Sequence, residues 1–382
     1  MLLGNAVRHE WMLESGFISV NHGSFGAAPR VVLAAQQEWQ RRMEAQPSRF
    51  MHAVLPDELR RGAQRLGTFV GAEGRTIAFV ENATTGCNAV LRSLRLAPND
   101  EVVVLSHAYG AVRNTARYVT KRAGARIVEA AIPFPHPHPE VIVANLKAAL
   151  TDRTRLAVID HITSGSALVL PLQSLVRLCH EVGVPVLVDG AHGAAQVPLD
   201  LAAIGADWYA GNCHKWLCAP KGSGFLYAAP ARQLDLHPAT ISHGLGKGFV
   251  EEFDWTGTRD ASAWLATSVA IDFHRRLGGK DLMARNVALA AEATDLLARR
   301  LNSEPGATGG MAGSMGVVRL PITGPVSSDA AAALRARLLA AGTDAPVHVL
   351  ADALWLRLSA HAYNDLEDYE RLADIVAAVL RG

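Results

Sequence analysis

Two kinds of apolar pattern alternate along the chain as far as about residue 230. One is the short unbroken run: TIAFV at 76–80, EVVVL at 101–105, ARIVEA at 125–130, RLAVID at 155–160, VPVLVD at 184–189 and DWYAG at 207–211. Runs of this length, bounded by Gly, Pro or polar turns, are the pattern of strands buried on both faces, as in parallel sheets. The other is the stretch whose apolar positions recur every three or four residues, at 30–46, 57–72, 110–122, 139–150 and 171–183. That period predicts helices with one buried face, formed in 30–46 by Val31, Ala34, Ala35 and Trp39 and closed in 171–183 by Gly183. Strand, helix, strand at this pitch predicts βαβ units, right-handed crossovers and a mainly parallel sheet. The class is α/β.

Ahead of this region, residues 17–29 predict a short strand and a Gly/Ser turn, and PSRFM at 47–51 predicts a break. Beyond it, residues 230–260 are rich in loop formers, 261–301 carry long helical patterns, and 316–320, 346–350 and 354–358 predict short strands before a final helix. A chain of 382 residues is expected to hold two domains. The composition shift places a large one over 17–255 and a smaller one, of 1–16 with 256–382, around it. No internal repeat interrupts the pattern.

Composition narrows the function. Hydrophobic residues make up 49% and charged residues 19%, enough for a large core, and a formal net charge of +1 offers no field for nucleic acid. The four cysteines (Cys87, Cys179, Cys213, Cys218) form no CxxC or disulfide spacing, which predicts reduced thiols in a cytoplasmic protein. Arg8, His9 and Glu10 interrupt the N-terminal stretch, so neither a signal peptide nor a membrane helix is expected there, and no run of about 18 apolar residues occurs.

The chemistry concentrates in residues 184–227. Asp189 ends one predicted strand, His192 follows three residues later, and Lys215 lies just past the end of the next strand. In open α/β sheets that edge binds ligands. An Asp or a surface Lys alone would carry no chemistry; together at adjacent strand ends they suit pyridoxal phosphate (PLP). The lysine forms a Schiff base with the aldehyde, and the carboxylate keeps the pyridine nitrogen protonated as an electron sink. The strand at 76–80 leads through NATTG into a helix whose N-terminus, with Thr84 and Thr85, suits a phosphate. Tyr109 or His107, after the strand at 101–105, could stack on a flat ring, and His22 could reach a ligand from its turn. The alternating His-Pro of PFPHPHP lacks a carboxylate or cysteine pattern and reads as a solvent loop rather than a metal site.

Taken in order over roughly residues 17–375, NATTGCN, SHAYGAV, HITSGSALVLP, VLVDGAHGA, GNCHKWLCAPKGSGFLY, GTRD and LRLSAHAYND resemble the class V aminotransferase family of PLP enzymes. NHGSFG, the HITS loop and GTRD resemble its isopenicillin N epimerase-like branch. The resemblance implies fold type I, with a mainly parallel seven-stranded sheet in the large domain and a smaller α+β C-terminal domain. It implies Lys215 as the Schiff-base lysine, Asp189 on the pyridine nitrogen, His192 against the ring hydroxyl and Tyr109 on the ring face. Thr84, Thr85, Asn212 and His214 would hold the phosphate, joined by Thr258 from the neighbouring subunit of an obligate homodimer. Arg357 would bind the substrate carboxylate, with Asn21 and His22 bordering the substrate.

Epimerase-like chemistry at the α-carbon of an amino acid is the leading expectation. Epimerisation needs a second acid opposite Lys215, with His22, His161 and Tyr109 as candidates. A C–S lyase acting by β-elimination, or an aminotransferase, would use the same residues, and a non-catalytic protein of the same fold would not need the full set. Desulfurases of the family that form a protein persulfide carry a cysteine in the small domain. This chain has no cysteine after Cys218, which argues against that chemistry.

Overall fold

Seven strands form the large sheet: β1 (Ile77–Val80), β2 (Glu101–Leu105), β3 (Arg126–Ala130), β4 (Thr154–Asp160), β5 (Val186–Gly190), β6 (Trp208–Asn212) and β7 (Gly224–Ala228). A computed structural model describes them with the rest of residues 3–307 and 309–381. The order is β1-β7-β6-β5-β4-β2-β3; β2 to β6 run parallel, and β7 is antiparallel to both β1 and β6. Six strands lie on the apolar runs. β7 is hidden in the sequence by the glycines that begin it. A Cβ at Gly224 would come within 2.8 Å of the Asn82 Cα and the Gly211 carbonyl oxygen, so this pairing requires glycine.

Alternation along the strands divides their side chains between two faces. Val103, Leu105, Ala157, Ile159, Val186 and Val188 pack on one face, and Val102, Val104, Leu156, Val158 and Leu187 on the other. Each fully buried Val or Leu contributes about 1.5–3 kcal/mol relative to exposure. The carboxyl ends of β4, β5 and β6 are therefore held by packing on both sides.

A second sheet contains β8 (Met315–Arg319), β9 (Val347–Leu350) and β10 (Ala353–Ser359), antiparallel in the order β8-β10-β9, with β10 buried along its whole length. The helices Lys280–Arg300, Ser328–Ala340 and Leu366–Arg381 pack around it. The cores meet elsewhere than at residues 17 and 255. Ile18 and Val20 join the small core, and the Ile18 N–H donates to the Gly342 carbonyl at 2.9 Å where a strand of the large domain was expected. Trp264, Leu265, Ile271, Leu282 and Met283 pack in the large core and Leu289 in the small one, while Met315, Val317 and Trp355 of the second sheet pack back against the large core. A helical period is the same whichever core it faces, so the sequence carries no mark of this boundary. The expected break at 47–51 is a helical turn, Pro47–Arg49, running on into Phe50–Val54. Among the described residues no helix is long and apolar enough to cross a membrane.

Candidate active site

The parallel strands end in a cavity of about 510 Å³. Asp160 from β4, Asp189 from β5 and Asn212 from β6 meet there with Lys215 and His214 from the loop after β6 and with His192. Thr84 and Thr85, at the start of the helix Ala83–Ser93, Tyr109 after β2, and Ser24, Phe25, Ile162 and Ser164 complete much of its wall.

The Lys215 amine lies 3.1 Å from His192 Nε2, and the Trp216 indole N–H donates to His192 Nδ1 at 3.3 Å. With Nδ1 accepting, a neutral His192 carries its proton on Nε2 and donates it to Lys215, whose nitrogen must then be unprotonated. The electrostatics act in the same direction. Burial, followed by the charge of Arg357, holds the Lys215 amine down to about 8, against the opposing pull of Asp189. Burial, with Lys215 and Arg357 beside it, keeps His192 well below the usual imidazole range. Asp189 Oδ1 accepts the Ala191 N–H at 3.1 Å, and burial raises its carboxyl despite that bond and Lys215.

The start of the helix Ala83–Ser93 is tied from two sides. Asn82 Oδ1 caps it by accepting the Thr85 N–H at 2.9 Å, and Asn212 Oδ1 accepts the Ala83 N–H at 2.8 Å. The threonines therefore sit in the first helical turn, facing the cavity, rather than in a loop ahead of it. His214 is fixed by donating from Nδ1 to the Ser223 carbonyl at 3.0 Å, and burial holds it down to about 4. A helix N-terminus, two hydroxyls, an amide and an imidazole at one end of the cavity, with a carboxyl and an amine further in, form a donor set that fits a phosphorylated pyridine aldehyde.

Arg357, in the middle of β10, is buried and bonded only to neutral acceptors. It donates to the Ser164 carbonyl at 2.7 Å, Ser24 Oγ at 2.7 Å and Asn21 Oδ1 at 2.9 Å, while its Nε–H has no partner among the described residues. Asn21 in turn donates to Asp344 at 2.6 Å. A desolvated guanidinium without a bonded carboxylate, behind two serines that line the cavity, is a site prepared for an anion.

Other expected residues lie elsewhere. His22 stands under the floor: its Nε2–H donates to the Lys215 carbonyl at 3.0 Å, Nδ1 accepts from the Tyr363 hydroxyl at 2.9 Å, and the ring stacks on His361 at 3.8 Å. Cys218 joins this buried pair, but the His22 and His361 Nε2 protons are aimed at the carbonyls of Lys215 and Trp216, which leaves those atoms no lone pair for a metal. His161 is hydrogen-bonded to the Tyr209 hydroxyl at 2.9 Å and His107 to Ser166 at 2.8 Å, both away from the cavity wall. Of the aromatic and acid candidates only Tyr109 lines it. Thr258 is exposed and outside it. Asp160, Ser24 and Ser164 were not anticipated. Asp160 ends an apolar run just as Asp189 does, so the rule that found one applied to the other.

Comparison with known proteins follows this geometry. The family model "Aminotransferase class-V" matches residues 26–372. The putative L-cysteine desulfhydrase 1 of Oryza sativa subsp. japonica is 36% identical, covering 95% of this chain and 83% of its own length. The isopenicillin N epimerase of Streptomyces clavuligerus is 32% identical over 97% of each chain. The fold is that of the cystine C–S lyase C-DES, solved with its product cysteine persulfide (TM-score 0.81, 22% identity, 95% of this chain and 98% of that one). It is also that of the cysteine desulfurase CsdA from Escherichia coli (TM-score 0.81, 21% identity, 100% and 99%).

Proposed function

Because the chain belongs to the class V aminotransferase family of PLP-dependent enzymes, we propose that it is a C–S lyase acting by β-elimination on a small sulfur-containing α-amino acid. One observation carries the choice. Of the three groups expected to oppose Lys215, His22 and His161 are consumed by Tyr363, Lys215 and Tyr209 away from the cavity. Elimination needs a base on one face only; epimerisation needs acids on two.

Bound PLP supplies the electron sink for the pair released at the substrate Cα. The protein's own groups do the rest. Thr84, Thr85, Asn212 and His214 would hold the phosphate, Asp189 would keep the pyridine nitrogen protonated, and Tyr109 would cover the ring. Arg357 orients the substrate through its carboxylate. Lys215, its amine made easier to deprotonate by burial and by the charge of Arg357, would take the Cα proton while His192 steadies it. The Cβ–S bond then breaks, sulfur leaves with the bonding pair, and the remaining three-carbon fragment hydrolyses to pyruvate and ammonia. The four cysteines are buried, which supports release of sulfur without a protein thiol acceptor and a reducing, cytoplasmic setting. A homodimer with shared sites completes the reading.

Epimerisation is the second reading, supported by Tyr109 in the cavity and by the similarity to isopenicillin N epimerases. Incubation of the PLP-loaded enzyme with L-cysteine and with cystine in D2O separates the two. Pyruvate with sulfide or persulfide is expected; deuterium at Cα with inversion and no pyruvate would favour the epimerase. Borohydride reduction should fix the cofactor on Lys215 and leave the Lys215→Ala protein unlabelled.

A further inference from the structure

Two carboxyls, not one, stand where the pyridine nitrogen is expected. Asp160 and Asp189 are direct register partners on the parallel strands β4 and β5, so their side chains leave the same face of the sheet. Both line the cavity and both are buried. Asp189 has a bonded oxygen, from the Ala191 N–H, whereas Asp160 Oδ2 is buried with no partner among the described residues. The backbone N–H groups of Tyr109 and of Asp160 itself act on this carboxyl and favour its charged form.

We propose that Asp160 is a positioning residue for the cofactor: it stays protonated and donates its O–H to Asp189, so that the pair carries one negative charge, held on Asp189 for the pyridine nitrogen. This rests on the PLP reading above. The surroundings leave room for only one charge. From the helix Gly110–Ala123, Arg113 acts on Asp160 at a distance, but its guanidinium is bonded to Glu129 and to the Leu105 and Ser106 carbonyls. From the helix Ala83–Ser93 comes the Cys87 thiol, and from β6 the Tyr209 phenol, both neutral when buried. Among the described residues Lys215 is the one cation acting directly on Asp189, and Schiff-base formation would commit its nitrogen. Two anions in one buried site disfavour each other, and burial, followed by Asp189, outweighs the Tyr109 and Asp160 N–H groups and Arg113 to favour the proton on Asp160. The unpartnered Oδ2 then becomes a donor, and Asp189, its register partner on β5, the acceptor. A neighbour that donates to Asp189 lowers its basicity, which leaves the shared proton on the ring nitrogen.

The test begins with wild-type protein carrying 13C-labelled aspartate, in both holo and cofactor-free forms. Infrared spectra should show the C=O stretch of a protonated carboxylic acid across neutral pH, and Asp160→Asn should lose it. Absence of that band from the wild-type protein overturns the proposal, whether or not Asp160→Asn folds. Asn mimics a neutral acid that donates, whereas Ala cannot donate. Asp160→Asn should therefore keep the holoenzyme's visible spectrum, its pH titration and its PLP affinity, while Asp160→Ala weakens PLP binding by about tenfold and shifts the titration. Equal effects of Asn and Ala, or no effect of either, overturn it too. Because the band is read in cofactor-free protein, a failure of borohydride to trap PLP would sink the cofactor reading and leave this measurement standing.

Discussion

Lys215 feels the charge of Arg357, although no bond joins them. Burial and the charge of Arg357 lower the Lys215 amine to about 8. The rate at which cofactor-free protein captures PLP should therefore rise with pH through a midpoint near 8 and level off above it, and Arg357→Met should move the midpoint upward. A rate that climbs toward pH 10.5, the ordinary lysine value, would mean the amine is not desolvated. The same displacement has a stability sign. A lysine that binds its proton less tightly when folded makes the cofactor-free protein more stable as pH rises from about 8 to about 10.5. Arg357 carries the complementary prediction for substrate. Removing a desolvated partner of a carboxylate costs about 2–5 kcal/mol, so Arg357→Ala should raise KM steeply for the amino acid. Unchanged affinity would assign the carboxylate to another residue. Arg357→Met should hold or raise Tm, because it removes a buried cation bonded only to neutral groups.

Between the strands, Asp207 pins the sheet beside the site. Just before β6, it accepts the Val186 N–H of β5 at 2.7 Å, His180 Nε2 at 2.9 Å and Arg232 Nε at 2.6 Å. Burial would raise its carboxyl, but these donors outweigh it and hold it below the usual carboxylate range. Asp207→Ala should cost about 2–4 kcal/mol at neutral pH. A depressed carboxylate gives its stability above its unfolded value near pH 4 and loses it as the pH falls further, so denaturant titrations should show the wild-type advantage shrinking as the pH falls below about 4. This element scale also separates what the sequence made legible from what it hid. EVVVL is strand β2 residue for residue because an unbroken apolar run has one stable place, inside a sheet covered on both faces. β7 was hidden because close backbone packing at Gly224 demands the residue that patterns read as a breaker. Lys215 and Asp189 could be read from their positions at strand ends. The burial of His22 could not, because its partner Tyr363 lies 341 residues away in the chain and no local period encodes such a contact. Asp160, at the end of its own apolar run, carried the same strand-end signal as Asp189; its pairing with Asp189 across the sheet is what the sequence did not show.

At the scale of the whole molecule, the GTRD turn asks which cavity it serves. Arg259 ties the turn to Glu81 on the rim of its own subunit's cavity and to Thr256, yet Thr258 points outward and is exposed. Phe25 and Tyr109 line the same mouth and expose 65% and 45% of their surface, more apolar area than a cavity lip needs in a monomer. We propose that a second copy covers this mouth and that Thr258 reaches the partner's phosphate. A two-fold dimer makes the exchange reciprocal. Lys215→Ala and Thr258→Asp homodimers should both be inactive, the first for want of the lysine, the second because an anion faces the phosphate. In a mixed dimer, however, the Lys215→Ala subunit lends an intact Thr258 to the partner that kept its lysine. Co-expression should therefore restore about a quarter of wild-type turnover, since half the dimers are mixed and each has one working site. If Thr258 served its own subunit, every site in the mixture would carry one of the two lesions and activity would stay absent. Light scattering on the same samples tells that outcome from a failure to dimerise.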